Sequence, residues 1–164
     1  MDLESVRLLM DHHYWATRRV LGVLAGLTPE QFTQTVTSSF PSIQATVAHM
    51  INAEAVWLGR ILGVPLRVTQ PEEIANGAGA AEPWSITEQA MRGLVSGLDA
   101  EGLGRVIRFA TRSGKEFADP VWLILHQLFN HGSYHRGQLT TLIRQVGAQP
   151  VQTDLIVYYR ELSH

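Results

Sequence analysis

The chain has no cysteine among its 164 residues. Disulfides, thiolate metal sites and cysteine nucleophiles are therefore excluded together, and any metal must be held by histidine or carboxylate. It also lacks any run of lysine or arginine, and its formal net charge is -2. Such a surface cannot track a phosphate backbone, which argues against nucleic acid as a partner. The strongly apolar stretches are too short to span a bilayer, so no membrane insertion is expected. The opening Met1-Asp2-Leu3-Glu4 carries no signal-peptide pattern, and the expected location is the cytoplasm. The zinc-protease motif H-E-x-x-H is absent too.

What is present reads as one globular domain over residues 1–164. The hydrophobic fraction is 45% and the charged fraction 17%, enough apolar content for a proper core at this length. Leu3, Val6, Met10, His13, Thr17, Val20, Leu24 and Leu27 recur three and four apart, the inner seam of a long helix. Thr28-Pro29 is expected to end it. Ser42 is placed to cap a second helix whose inner face is Ile43, Val47, Met50, Glu54 and Leu58, closed by Gly63 and Pro65.

Residues 64–83 hold Pro65, Pro71, Gly77, Gly79 and Pro83, and read as a connection rather than core. A connection of this length can return the chain to the far end of a bundle. Ile86, Ala90, Leu94 and Leu98 mark a third helix, roughly 85 to 100. Residues 105–117, around Arg112-Ser113-Gly114-Lys115, read either as a short β-hairpin or as an irregular crossover. Asp119-Pro120 has the form of a helix start. The seam behind it is Val121, Leu125, Leu128, Gly132, His135, Leu139, Leu142 and Val146, with Gly147 as the stop. The tail, Thr153 to Leu162, reads as a short helix on the bundle, with a strand as the alternative its β-branched residues leave open.

The last long helix departs from a Leu/Ile/Val seam. It carries Gly132 and His135 in its middle, with Gly137 beside them. A glycine inside a helix costs about 1 kcal/mol relative to alanine, and a buried polar ring costs more unless it is partnered. Such costs gathered within two turns point to function, and the glycines leave room for an ion or ligand. His131 and His135 are four apart, so both imidazoles lie on one helical face. A third ligand is expected from a facing helix, and His49 is the best placed. Three imidazoles suit zinc, nickel, copper or iron(II), and three protein ligands leave a coordination position open.

The other polar residues have weaker claims. His13, on the inner seam of the first helix, either lines the pocket or is a hydrogen-bonded core histidine. Asn52, one turn after His49, either orients a ligand or is solvated, and Glu54 either serves the site or pairs with an arginine. His126 is expected to face away and His12 to be exposed. His164 is terminal and expected to be mobile. One of Trp15, Trp57, Trp84 and Trp122 is a candidate pocket wall.

Several stretches taken together resemble the DinB/YfiT-like family. One is Asn130-His131-Gly132-Ser133-Tyr134-His135-Arg136-Gly137-Gln138-Leu139, running on to Leu142-Ile143-Arg144-Gln145-Val146-Gly147. Another is Phe40-Pro41-Ser42-Ile43-Gln44-Ala45-Thr46-Val47-Ala48-His49-Met50, with Ala53-Glu54-Ala55-Val56-Trp57-Leu58 after it. Tyr14-Trp15-Ala16 with Arg18-Arg19-Val20-Leu21, and Asp154-Leu155-Ile156-Val157-Tyr158-Tyr159-Arg160-Glu161, extend the likeness over nearly the whole chain. The resemblance implies an all-α four-helix bundle of up-down-down-up order. It also implies one divalent metal on His49, His131 and His135, and a homodimer. It does not fix an activity. The first expectation is transfer from a low-molecular-weight thiol such as mycothiol or bacillithiol. The second is metal-dependent hydrolysis, with His13, Glu54 or Asn52 as base. The third is a non-enzymatic metal- or ligand-binding protein of a stress response.

Overall fold

The computed structural model describes residues 1–111 and 113–163; Arg112, in the suspected hairpin, and His164 lie outside them. Helix α1 runs Leu3–Ala25, capped by the Asp2 side chain, which accepts from the Ser5 amide. A short α2 covers Pro29–Thr33 and α3 covers Ile43–Leu62. Helix α4 is Ala81–Ser96, α5 is Ala100–Gly104, α6 is Val121–Gln145 and α7 is Leu155–Leu162. The expected seams of α1, α3 and α6 are the buried faces, with only Leu3 left partly open. Ser42 does cap α3, accepting from the Ala45 amide at 3.0 Å, and Gly63 ends it in the left-handed conformation at φ 74°.

Helices α1, α3, α4 and α6 form the bundle, each of α1 and α3 packing on both α4 and α6. Side-chain pairs fix the directions. Asp11 meets Arg92 while Arg18 meets Glu88, so α1 and α4 are antiparallel. His49 meets His131 and His135 while Ser39, before α3, meets Gln138, so α3 and α6 are antiparallel. His13 of α1 meets Arg136 of α6 while Gln31, beyond α1, meets Val146 at the end of α6, so α1 and α6 are parallel; the order is up-down-down-up, and the long crossover between α3 and α4 is what this order requires. Among the described residues no helix is long and apolar enough to cross a membrane.

Several local expectations are corrected. Thr28-Pro29 does not end α1; Gly26 does, and Thr28 instead forms a capping box with Gln31 at the start of α2. The crossover is partly core: Ile74, just after the 3-10 turn Pro71–Glu73, and Gly77 and Ala80, in the 3-10 turn Gly77–Ala80, are buried. The buried stripe of α4 is Trp84, Thr87, Met91 and Val95, with Ile86 exposed and Ala90 and Leu94 only flanking the core. Of the two readings of 105–117 the hairpin holds: β1 Val106–Ala110 pairs antiparallel with β2 Glu116–Pro120. Asp119 belongs to that ladder, opposite Ile107, so it caps nothing, and α6 begins one residue after Pro120. The tail is the helix α7, seated by the buried ring of Tyr158.

Gly77 shows why the crossover cannot drift. A Cβ there would collide with the backbone carbonyl of Leu24 at the end of α1. Backbone cannot swing aside as a side chain does, so Gly77→Ala is expected to destabilise the fold by about 3 kcal/mol, the upper end for overpacking. A urea midpoint unchanged from wild type would show that the crossover slides freely instead.

Candidate metal centre

His49 comes from the middle of α3, and His131 and His135 from successive turns of α6. The antiparallel pairing of these helices brings the three rings to one point. Nε2 of His49 lies 3.2 Å from Nε2 of His131 and 3.2 Å from that of His135, and the last two are 3.0 Å apart. Imidazole nitrogens on one tetrahedral zinc, each about 2.0–2.1 Å away, stand about 3.3 Å from one another. The donor set therefore fits a single divalent ion. His49 and His131 remain partly exposed and His135 is buried.

The lone pair of His135 is already aimed. Gln138, one turn beyond His135, accepts from its Nδ1 at 2.7 Å. That hydrogen bond puts the proton on Nδ1 and leaves Nε2 bare toward the centre, the usual arrangement behind a metal-ligating histidine. Desolvation, and then the other two rings, push His131 from an ordinary 6.5 down to about 4. Burial followed by His135 lowers His49 as well. Rings that stay unprotonated at neutral pH are what a metal needs.

The same shifts set a pH dependence for the metal-free protein. The folded state binds these protons less well than the unfolded chain. The contribution is thus complete above pH 6.5 and is lost as the pH falls toward 4. The denaturation midpoint should drop across that window, and His131→Gln should flatten the slope. A slope unchanged in that variant would contradict the shift.

Aromatic rings frame the opening. Phe40, just before α3, stacks on His49 with centroids 4.4 Å apart. Tyr134, 63% exposed, stands edge-on to His135 at 5.0 Å. None of the four tryptophans is an aromatic neighbour of the triad among the described residues. The sequence reading missed Phe40, Tyr134 and Gln138 as site residues. The signal available for Gln138 was its three-residue spacing from His135, which places it on the same helical face.

The remaining polar candidates are occupied elsewhere. Asn52 clamps the crossover, donating to the Thr69 carbonyl and accepting from its amide, both at 2.8 Å. Glu54 is 3% exposed and receives Nε2–H of His13 at 2.6 Å, with Tyr14 Oη and Trp84 Nε1 each at 3.2 Å. Burial would push its carboxyl up, but the imidazole and these donors outweigh burial and hold it below the ordinary value. On its other side His13 accepts from Arg136 Nη1 at 3.2 Å. Burial lowers Arg136 to about 10, still a cation at neutral pH. His13 is thus a buried core histidine bridging a guanidinium and a carboxylate. It also fills the room beside Gly132, where a Cβ would strike its ring; that glycine makes space for His13 and not for an ion. His12, expected to be exposed, is 6% exposed and reaches the Thr153 carbonyl at 3.0 Å. His126 is exposed and away from the triad.

Comparison with known proteins agrees with this architecture. The DinB family profile matches residues 3–161. The chain is 25% identical over 156 residues to Protein DinB of Bacillus subtilis (strain 168), covering 92% of this chain and 91% of that protein. Its fold is similar to the crystal structure of a DinB-like protein from Bacillus cereus ATCC 10987, with a TM-score of 0.61 and 22% identity, over 88% of this chain and 94% of that one. With the bundle, the histidine cluster and a match over nearly its full length, the chain belongs to the DinB family.

Proposed function

We propose that His49, His131 and His135 hold one divalent metal, zinc or nickel ahead of iron or copper, and that the chain is a thiol-dependent S-transferase acting on small molecules. The observation that carries this reading is the convergence of three imidazole Nε2 atoms with no carboxylate among them. A bound zinc or nickel would supply Lewis acidity there, lowering the pKa of a thiol so that its sulfur is presented as thiolate.

The protein's own residues do the rest. His135 is held in register by Gln138, and the aromatic faces of Phe40 and Tyr134 offer apolar contact to an incoming electrophile. In the transfer the sulfur bonds to the electrophilic carbon, and the leaving group departs with its electron pair. Thiol chemistry needs no separate general base once the sulfur is ionised. Hydrolysis does, and His13, Glu54 and Asn52 are all committed to structural hydrogen bonds. We also take the chain to form a homodimer, with the exposed Leu155, Ile156 and Leu162 of α7 as the contact face.

The test is a turnover assay on zinc- or nickel-loaded protein with a low-molecular-weight thiol and an alkylating electrophile, against His49→Ala. Metal-dependent S-conjugate formation well above the uncatalysed rate, lost in the variant, is the expected result. Hydrolysis of ester or amide substrates without thiol would replace the reading with the hydrolase. Stoichiometric metal with neither turnover would leave a binding protein.

A further inference from the structure

A groove of about 670 Å³ lies on the opposite side of α6 from the triad. Its floor is the stripe Ser133, Gly137, Thr140 and Arg144, positions that share a helical face, and its far wall is the segment 150–155. Arg136 forms the inner wall and is 1% exposed. Its Nη1 donates to His13 and its Nη2 to Ser133 Oγ at 2.9 Å, while its Nε–H finds no acceptor. A buried donor without a partner costs about 1–3 kcal/mol, so an orphan on a guanidinium beside a cavity calls for an explanation.

Gly137 adds an independent observation. Glycine within a helix costs about 1 kcal/mol relative to alanine. Gly77 and Gly132 are explained by what a Cβ would strike, but a Cβ on Gly137 would meet nothing within 4 Å. The same holds at Gly22 and Gly93 inside α1 and α4, so no contact demands glycine at 137; its effect is that this turn of α6 adds no side chain to the groove floor. Arg136 and Arg144 line that space with the single carboxylate of Asp154, the charge of Arg136 being met from behind by Glu54 through His13.

We propose that this groove is a second ligand site, distinct from the metal centre, which takes a small molecule bearing an oxyanion, carboxylate or phosphate, over Gly137 between Arg136 and Arg144. The buried Arg136 supplies fixed positive charge, and Arg144 at the rim closes on the ligand. Thr140, whose hydroxyl already donates to the Arg136 carbonyl at 2.9 Å, lines the path between them.

The experiment is an amide NMR titration of the zinc-loaded chain with inorganic phosphate and, separately, with acetate, at ionic strength held constant with chloride, and repeated on metal-free protein. Saturable shifts at Gly137, Thr140, Thr141 and Thr153 are expected, with the tighter of the two anions identifying the ligand's charged group. Gly137→Leu fills the groove and raises helix propensity, so its spectrum should remain folded. It and Arg144→Ala should each weaken binding tenfold or more while zinc content stays at the wild-type level. Non-saturating shifts with both anions would overturn the site, as would shifts confined to the His49, His131 and His135 region or affinities unchanged in both variants. The metal-free arm keeps this outcome separate from any failure of the metal reading.

Discussion

Glu54→Leu and Arg136→Met are each expected to destabilise the metal-free protein by about 3–5 kcal/mol, the range for breaking a buried ion pair by removing one partner. Either change strands the opposite charge. Glu54 is 3% exposed and Arg136 1%, and the ring of His13 bridges them, donating to one and accepting from the other. Against a total stability of about 5–15 kcal/mol for a domain, such a loss moves the urea midpoint far enough to be unmistakable. The double variant removes both charges, and its cost should fall below the sum of the singles by about 0.5–3 kcal/mol. Gly132→Ala tests the same bridge without removing a charge, because its methyl group would strike the His13 ring and crowd Arg136 Nη1; about 1–3 kcal/mol is expected, as for overpacking elsewhere. Singles that cost less than 1 kcal/mol and add without coupling would mean that water, rather than His13, compensates each charge.

This network also shows what could be read from the sequence and what could not. The helices were legible because their apolar residues keep a regular period, and the histidine cluster because His131 and His135 share a face and His49 was the best-placed third candidate on another bundle helix. The phase of α4 was not, since Ile86, Ala90 and Leu94 make as good an apolar stripe as Trp84, Met91 and Val95. Only packing decides between them, and Trp84 is drawn inward by its hydrogen bond to Glu54. Glycine spacing announced that room was needed in α6 but not for whom. At Gly132 the occupant is a ring from α1, and at Gly137 the space stays open. The roles of Asn52 and Glu54 were hidden for the same reason: their partners, Thr69, His13, Tyr14 and Trp84, are distant in the chain, and a polar residue's periodicity carries no information about what it bonds.

The largest expected effect on binding belongs to His135→Ala. It removes the one ligand of the three that is both buried and already oriented. Two imidazoles, one from α3 and one from α6, do not make a stable zinc or nickel site. Protein purified without an affinity tag should therefore carry about one metal per chain in the wild type and essentially none in the variant, by elemental analysis. Gln138→Ala separates orientation from ligation. It leaves all three imidazoles in place but frees Nδ1 of His135, so the ring is no longer held in the tautomer that bares Nε2. Loss of such an outer partner weakens metal affinity by about 10–100-fold, readable by competition with a zinc chelator. A Gln138→Ala protein that binds as tightly as wild type would mean that burial alone orients His135. A His135→Ala protein that keeps stoichiometric metal would place the ion elsewhere, and the convergence of the three nitrogens would then need a hydrogen-bonding account, with protons shared among the rings.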